Sequence, residues 1–160
     1  MRAFVQPLDS SDTHAEITRV QAVSDGSSTR AGGFTNLNVG GTAAVSLGVA
    51  WAWIIGTRPV VKTRRVVGGA DGTTFFVRST ATMDQFYFVG PPGSRVTITP
   101  FPAVPGRTPV IIDALNPYAE CTSASIIQRG LVPSSASDAE FLALFAQARQ
   151  SAAAAGVSEH

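Results

Sequence analysis

Charge is what this sequence has least of. Asp, Glu, Lys and Arg make up 14% of its 160 residues, where about 25% is typical of globular chains. Charge keeps free monomers apart in solution, so this sparse a supply suits a protein that packs against neighbours. The net charge of +1 holds no excess of cations for a nucleic-acid backbone. Lysine is nearly absent: Lys62 stands against eleven arginines. Arginine suits interfaces because its planar guanidinium is weakly hydrated and pairs bidentately with carboxylates; a GC-rich coding sequence gives the same bias. The single cysteine, Cys121, excludes an intrachain disulfide and any zinc site built from cysteines. No apolar run reaches the roughly 18 residues of a membrane span, and MRAFVQPLDSSD has no apolar segment of signal-peptide length. A soluble protein made in the cytoplasm is expected, with no membrane partner.

What fills the gap is about thirty Ser and Thr, with 15 Gly and 10 Pro, the mixture of many short strands joined by turns. The stretch Thr42 to Gly56 is the clearest case. Read in twos, it sets Val45, Leu47, Val49, Trp51, Trp53 and Ile55 on one side. Ala44, Ser46, Gly48, Ala50, Ala52 and Ile54 fall on the other. Successive β side chains point to opposite faces, so this alternation predicts one strand. Its bulky face is expected in the core, and its flat face under a helix or a neighbouring subunit.

Along the chain, residues 1–13 read as an N-terminal arm, anchored by Phe4, Val5 and Leu8 and interrupted by Pro7. Residues 14–132 read as the β domain. Strands are predicted at His14–Ser24, Phe34–Val39, Val60–Val67, Thr73–Thr82, Phe86–Val89, Arg95–Thr99 and Cys121–Gln128, with a short pairing at Val110–Ile112. Gly68-Gly69-Ala70-Asp71-Gly72 reads as a hairpin loop because each Gly supplies a positive φ. Pro91-Pro92-Gly93-Ser94 reads as a type II turn. Four prolines between Pro100 and Pro109 exclude a central strand there and favour an extended covering loop. Residues 133–160 carry the one helix: Ser137 and Glu140 fit a capping box, Gly156 fits a C-terminal cap, and Phe141, Leu144, Phe145, Ala148 and Ala152 recur at helical spacing. The fold class is therefore mainly β, an antiparallel sandwich or barrel of about eight short strands with one C-terminal amphipathic α-helix.

Catalytic groupings are sparse. The two histidines are His14 and His160, and neither sits in a Ser-His-Asp arrangement. Cys121 reads as a core thiol. Asp84, Asp113 and Glu120 are the carboxylates that could act in a pair, with His14 as a fourth member of such a pocket. The glycine-rich Val67-Gly68-Gly69 precedes no helix and no Lys-Ser/Thr, so it is not a phosphate loop. Calcium would need a denser acidic cluster. No cofactor, no metal and no direct nucleic-acid contact are expected. The charged run Arg58 to Arg65 puts Lys62 and Arg64 on one strand face, where they guard an edge or meet an acidic partner.

In build, with sparse charge, Ser/Thr-rich strands, an anchored arm and one capped helix, the chain resembles the small β-sandwich and β-barrel proteins of virions. The decoration and the tail or neck proteins of tailed bacteriophages are examples. That resemblance implies a non-enzymatic virion structural protein that docks and self-associates on a particle lattice, with other copies of itself and other capsid or tail proteins as partners. Its interface residues would be Phe4, Val5, Leu8, Lys62, Arg64, Phe141, Leu144 and Phe145. The alternative is a ligand- or glycan-binding β-sandwich module that uses end loops and an exposed aromatic drawn from Trp51, Trp53, Phe86 and Tyr87.

Overall fold

The computed structural model describes the backbone of residues 2–7, 18–21, 27–31, 34–38, 44–47, 50–56, 60–70, 72–100, 108–154 and 156. Side chains are described for 53–54 and, within those ranges, from 60 onward. Fourteen strands run in chain order as β1 (Arg2–Pro7), β2 (Thr18–Gln21), β3 (Ser27–Ala31), β4 (Phe34–Asn38), β5 (Ala44–Leu47), β6 (Ala50–Gly56), β7 (Val60–Lys62), β8 (Val66–Ala70), β9 (Thr73–Ser79), β10 (Asp84–Gly90), β11 (Val96–Pro100), β12 (Val110–Ile112), β13 (Tyr118–Cys121) and β14 (Ile126–Gln128). A C-terminal helix, α1 (Ala136–Ala154), follows, the one helix among the described residues. The strands form an eight-stranded sheet in the order β14-β13-β10-β9-β6-β1-β4-β3 and a six-stranded sheet in the order β12-β11-β8-β7-β5-β2. All pairs are antiparallel except β5 with β7. The architecture is the mainly β, two-sheet fold with one C-terminal helix that the turn-rich composition predicts.

Three layers result. Between the sheets lies an apolar core to which the eight-stranded sheet gives Ile54, Phe75, Val77, Phe86, Phe88, Ala119 and Cys121. The six-stranded sheet answers with Val61, Val66, Ala70, Val96, Ile98 and Ile112. A second core lies on the other side of the larger sheet, where Trp53, Phe76 and Tyr118 meet Phe141, Phe145, Ala148 and Ala152 of α1. The middle sheet is therefore buried on both faces across β6, β9, β10 and β13, and β9 shows it directly: Thr73 through Val77 are all buried, with Phe75 in one core and Phe76 in the other. A strand covered on both sides reads as a continuous apolar run rather than an alternation.

Several local expectations change. Arg2–Pro7, read as part of a free arm, is a strand with partners on both sides, β4 and β6; Phe4 stands opposite Trp53 on β6 and Asn36 on β4. Two apolar residues in a polar segment carry too little pattern to distinguish an inner strand from a tail. Thr42 to Gly56 is two strands in different sheets, β5 and β6. Within β6 the roles of the faces are exchanged: Trp53 of the bulky face lies under α1, and Ile54 of the flat face points between the sheets. The predicted strand Val60–Val67 breaks at Thr63, whose N–H donates to Val66 O at 2.9 Å.

The glycine run is not a hairpin. Gly68 and Gly69 belong to β8, which pairs with β7 and β11, whereas β9 pairs with β6 and β10, so the chain crosses from one sheet to the other at this point. Gly68 is there for close approach: a Cβ at that position would lie 2.6 Å from Cε1 of Phe86 across the core. At the helix, Ala139 N–H donates to Ser135 O at 2.9 Å, so Ser135 is the N-cap and Ser137 already lies in the first turn. The predicted Ser137–Glu140 capping box is therefore not at the helix start: Ser135 Oγ meets Ser137 Oγ at 3.1 Å, and Glu140 accepts from Arg78 at 3.2 Å. Gly156, at φ +77°, donates to Ala153 O at 3.0 Å, the predicted C-terminal cap. The Pro91 turn forms with Gly93 at φ +92°.

The two neighbouring glycines separate packing from backbone freedom. Gly68→Ala is expected to cost about 1–3 kcal/mol by overpacking Phe86. Gly69→Ala, which meets nothing within 4 Å, should stay within about 0.5 kcal/mol of the parent. Urea unfolding of both variants checks this, and equal losses would refute the close-approach role of Gly68.

Candidate functional site

Two buried polar clusters and one cleft hold the chemistry of the described residues. Asp84 opens β10 and turns its carboxylate into the space between the sheets, with no exposure to solvent. Thr63 Oγ1 donates to it at 2.7 Å, Ser79 Oγ at 2.6 Å and Arg65 Nη1 at 3.0 Å. Arg65 Nη2 also donates to the carbonyls of Thr80 and Ala81. A buried carboxylate needs such partners to remain charged away from water. The cluster joins the β7–β8 turn of one sheet to the β9–β10 turn of the other. It is a staple between layers, and its carboxylate oxygens are already engaged.

The second cluster lies under the start of α1, on the opposite face of the same sheet. Gln85 Nε2 donates to the Tyr118 hydroxyl at 2.8 Å, and that hydroxyl donates to Glu120 Oε1 at 2.7 Å. Arg129 donates to Glu120 at 2.5 Å and forks onto Asp138 at 2.6 and 2.7 Å. Val132 N–H reaches the same Asp138 carboxylate at 2.8 Å. The Arg129 guanidinium lies 5.0 Å from the Tyr118 ring centroid, in range for a cation–π contact. The hydrogen bonds from Arg129, then the Val132 N–H, hold the Asp138 carboxyl down from the ordinary 3.8 to about 2. Burial first, and the Glu120 carboxylate next, push the Tyr118 phenol well above its ordinary value. Tyr118 therefore stays protonated as a hydrogen-bond donor, and Asp138 stays ionised as an anchor for the helix.

The carboxylates considered for catalysis do not converge. Asp84 pairs with Cys121 across β10 and β13, while Gln85 pairs with Glu120, and this one-residue offset sends Asp84 and Glu120 to opposite faces of the sheet. Asp113 caps its own turn, accepting from Leu115 N at 3.0 Å and Asn116 N at 2.9 Å. His14 lies outside the described residues. Cys121 is buried in the core between the sheets. Among the described residues no three His, Cys, Asp or Glu side chains gather as a metal site, and no helix is long and apolar enough to cross a membrane.

The proposed interface residues divide. Phe141 and Phe145 are buried against the chain's own sheet, and Leu144 packs beside them, so this stripe packs in cis. Lys62 ends β7, half-buried, and Arg64 is exposed in the following turn; the chain turns between them, so they do not share a strand face. Phe4 and Val5 lie on β1 inside the larger sheet. Leu8 is outside the described residues.

The cleft was not expected from the sequence. It has a volume of about 310 Å³ and is lined by Tyr87, Val89, Pro92, Pro117, Phe145 and Arg149, with Phe88 and Ala114. Tyr87 and Phe145 pack with ring centroids 4.8 Å apart. The Arg149 guanidinium lies 5.5 Å from the Phe145 centroid. Of the four aromatics weighed for a binding platform, Trp53 and Phe86 are buried and Tyr87 is half-buried at this cleft; the Trp51 side chain lies outside the described residues. The residues missed are those joined by tertiary contact alone: Tyr118, Gln85 and Arg129 of the polar cluster, and Arg149 of the cleft. No local motif marks them.

No protein-family model, curated protein or solved structure is significantly similar to this chain.

Arg129→Gln removes both forks from Asp138 and should cost about 2–3 kcal/mol, read by urea unfolding at neutral pH. The pH dependence follows from the lowered carboxyl: the unfolded chain binds the proton first as pH falls, so this contribution is complete above the ordinary carboxyl range. It is lost as pH drops between about 4 and 2. Asp138→Asn should be less stable at neutral pH and show a shallower fall in Tm across that interval. An unchanged slope would show that Asp138 is not the titrating group.

Proposed function

We propose that this chain is a non-enzymatic structural protein that assembles with copies of itself and with other proteins of a particle lattice. The observation that carries the reading is the inequality of the two outer faces. Helix α1 covers the part of the larger sheet's outer face that carries Trp53, Phe76, Tyr87 and Tyr118. The outer face of the six-stranded sheet carries Val60, Lys62, Val67, Gly69, Thr97, Thr99 and Ile111, all half-buried or exposed. In register these form one row, Val60–Gly69–Thr97–Ile111, and a second, Lys62–Val67–Thr99. Among the described residues of this face the side chains are short or β-branched, with Lys62 as the one cation. Small and β-branched side chains let a second sheet face approach closely and lose little rotamer entropy on burial. Apolar burial at such a junction adds to assembly stability without any chemistry.

The polar clusters support the same reading. Asp84, Glu120 and Asp138 each fix one part of the fold to another, as in a protein built to hold its shape under load. The likeness of build to virion decoration and tail or neck proteins extends the proposal to a bacteriophage capsid or tail as the particle, with synthesis in the host cytoplasm.

Sedimentation of the purified protein at micromolar concentration tests the proposal. A closed oligomer or a concentration-dependent series is expected, and Thr99→Glu with Ile111→Glu, both at exposed positions, should shift it to monomer without lowering Tm. A parent protein that remains monomeric at every concentration, alone and with extracts of its source particle, would overturn the reading.

A further inference from the structure

The layers of the fold are held by different means. Strands are tied to their neighbours by backbone ladders in both sheets, and thirteen buried apolar residues fill the space between the sheets. Among the described residues no backbone–backbone hydrogen bond joins α1 to a strand. Side chains hold it: Arg129 forks onto Asp138, Arg78 reaches Glu140 at 3.2 Å, and the buried stripe passes from Phe141 and Phe145 to Ala148 and Ala152. The two alanines bury little area. We infer that α1 is a hinged cover, which lifts from the larger sheet as one unit while the two sheets stay packed and so opens the aromatic surface of Trp53, Phe76 and Tyr118. This inference stands apart from the assembly reading.

Polar groups left without partners fall on the side that α1 covers. Among the described residues the buried side-chain atoms with no hydrogen-bond partner are Trp53 Nε1, Thr74 Oγ1 and Arg78 Nε. Trp53 lies in the core under α1. Thr74 and Arg78 stand two residues to either side of Phe76 on β9, and so share its helix-side face. Undocking of α1 returns water to this face and relieves the penalty on such groups, which favours the open form. The segment that leads into α1 suits a hinge, with Gly130, Val132, Pro133 and Ser134 all exposed. The helix can also move as a helix. Eight of its 19 residues are Ala, the strongest helix former, and its length exceeds the roughly 12–15 residues below which isolated helices are marginal. Openings of this kind, confined to one packed element, cost less than global unfolding.

Thiol labelling of the full chain tests this, with Cys121 as an internal reference. Ala148→Cys places a thiol under α1 at a position with no exposure, whereas Cys121 is buried between the sheets. With excess thiol reagent at neutral pH, labelling follows the population of each open form, and mass spectrometry of peptides reads both sites in one molecule. The introduced thiol is expected to react at least roughly tenfold faster than Cys121. Ile98→Val, in the core between the sheets, should speed Cys121 roughly threefold to tenfold. It should leave the introduced thiol unchanged, because the docked and undocked forms lose the same contact. Arg129→Gln weakens the docked form and should speed both thiols by roughly tenfold or more. Ala152→Cys, one turn further along the same stripe, repeats the reading from a second site. Equal labelling rates at the two thiols, Cys121 reacting first, or acceleration of the introduced thiol by Ile98→Val would each overturn the inference.

Discussion

Burial of the β6-β9-β10-β13 part of the eight-stranded sheet on both of its faces is the constraint the rest of the structure answers to. A sheet with one wet face can alternate polar and apolar side chains; this one cannot, and β9 carries Phe75 and Phe76 side by side into two different cores. Each core then needs a cover of its own. The six-stranded sheet supplies one, closing over Phe75 and Phe86, whose rings stack with centroids 6.1 Å apart. Helix α1 supplies the other with Phe141 and Phe145, each within 6 Å of the Phe76 ring. The close approach at Gly68 and the aromatic-to-alanine gradation of the helix stripe are both consequences of fitting covers to a rigid middle layer.

The charges follow from that layering. With so few in the chain, the described carboxylates nearest the cores work as fasteners: Asp84 ties turn to turn between the sheets, and Asp138 ties the helix start to the strand end through Arg129. Asp138, holding Arg129 and the Val132 N–H, is stabilised in its charged form. Trp53 is one exception to this economy of polar groups, with Thr74 and Arg78 as others. Its Nε1 is buried without a hydrogen-bond partner, at a site where the indole packs against Phe76 and Phe145; ring packing outweighs a lost donor contact there.

How much of this could be read in advance depends on whether the signal was local. The C-terminal helix, its stripe and its Gly156 cap were legible because each rests on neighbours within a few residues. So was the mainly β character, from the density of Thr, Val and turn residues. The flanks of the glycine run were misread because glycine serves two purposes, turning and close approach, and only the partner Phe86, eighteen positions from Gly68, decides between them. The face assignment of Trp53 failed for a related reason. Alternation says that two faces differ, and not which layer each will meet. Asp138 was legible as a first-turn acid, but its bidentate hold on Arg129 was not, because that pair is set by the path of the intervening loop. Strands of three or four residues, such as β7 and β14, are too short to show a period at all.

The helix is also the element synthesised after every strand that it covers. Until α1 leaves the ribosome, the aromatic surface formed by Trp53, Phe76 and Tyr118 has no lid, and a chain sparing in charge has little repulsion with which to keep another nascent chain away from it. The Arg129–Asp138 clamp sits at the first turn of α1, the part that emerges first, so docking can begin at the polar end and proceed toward Phe145 and Ala152 as the remaining turns appear. The order of synthesis thus presents the polar end of α1 to the open second core first.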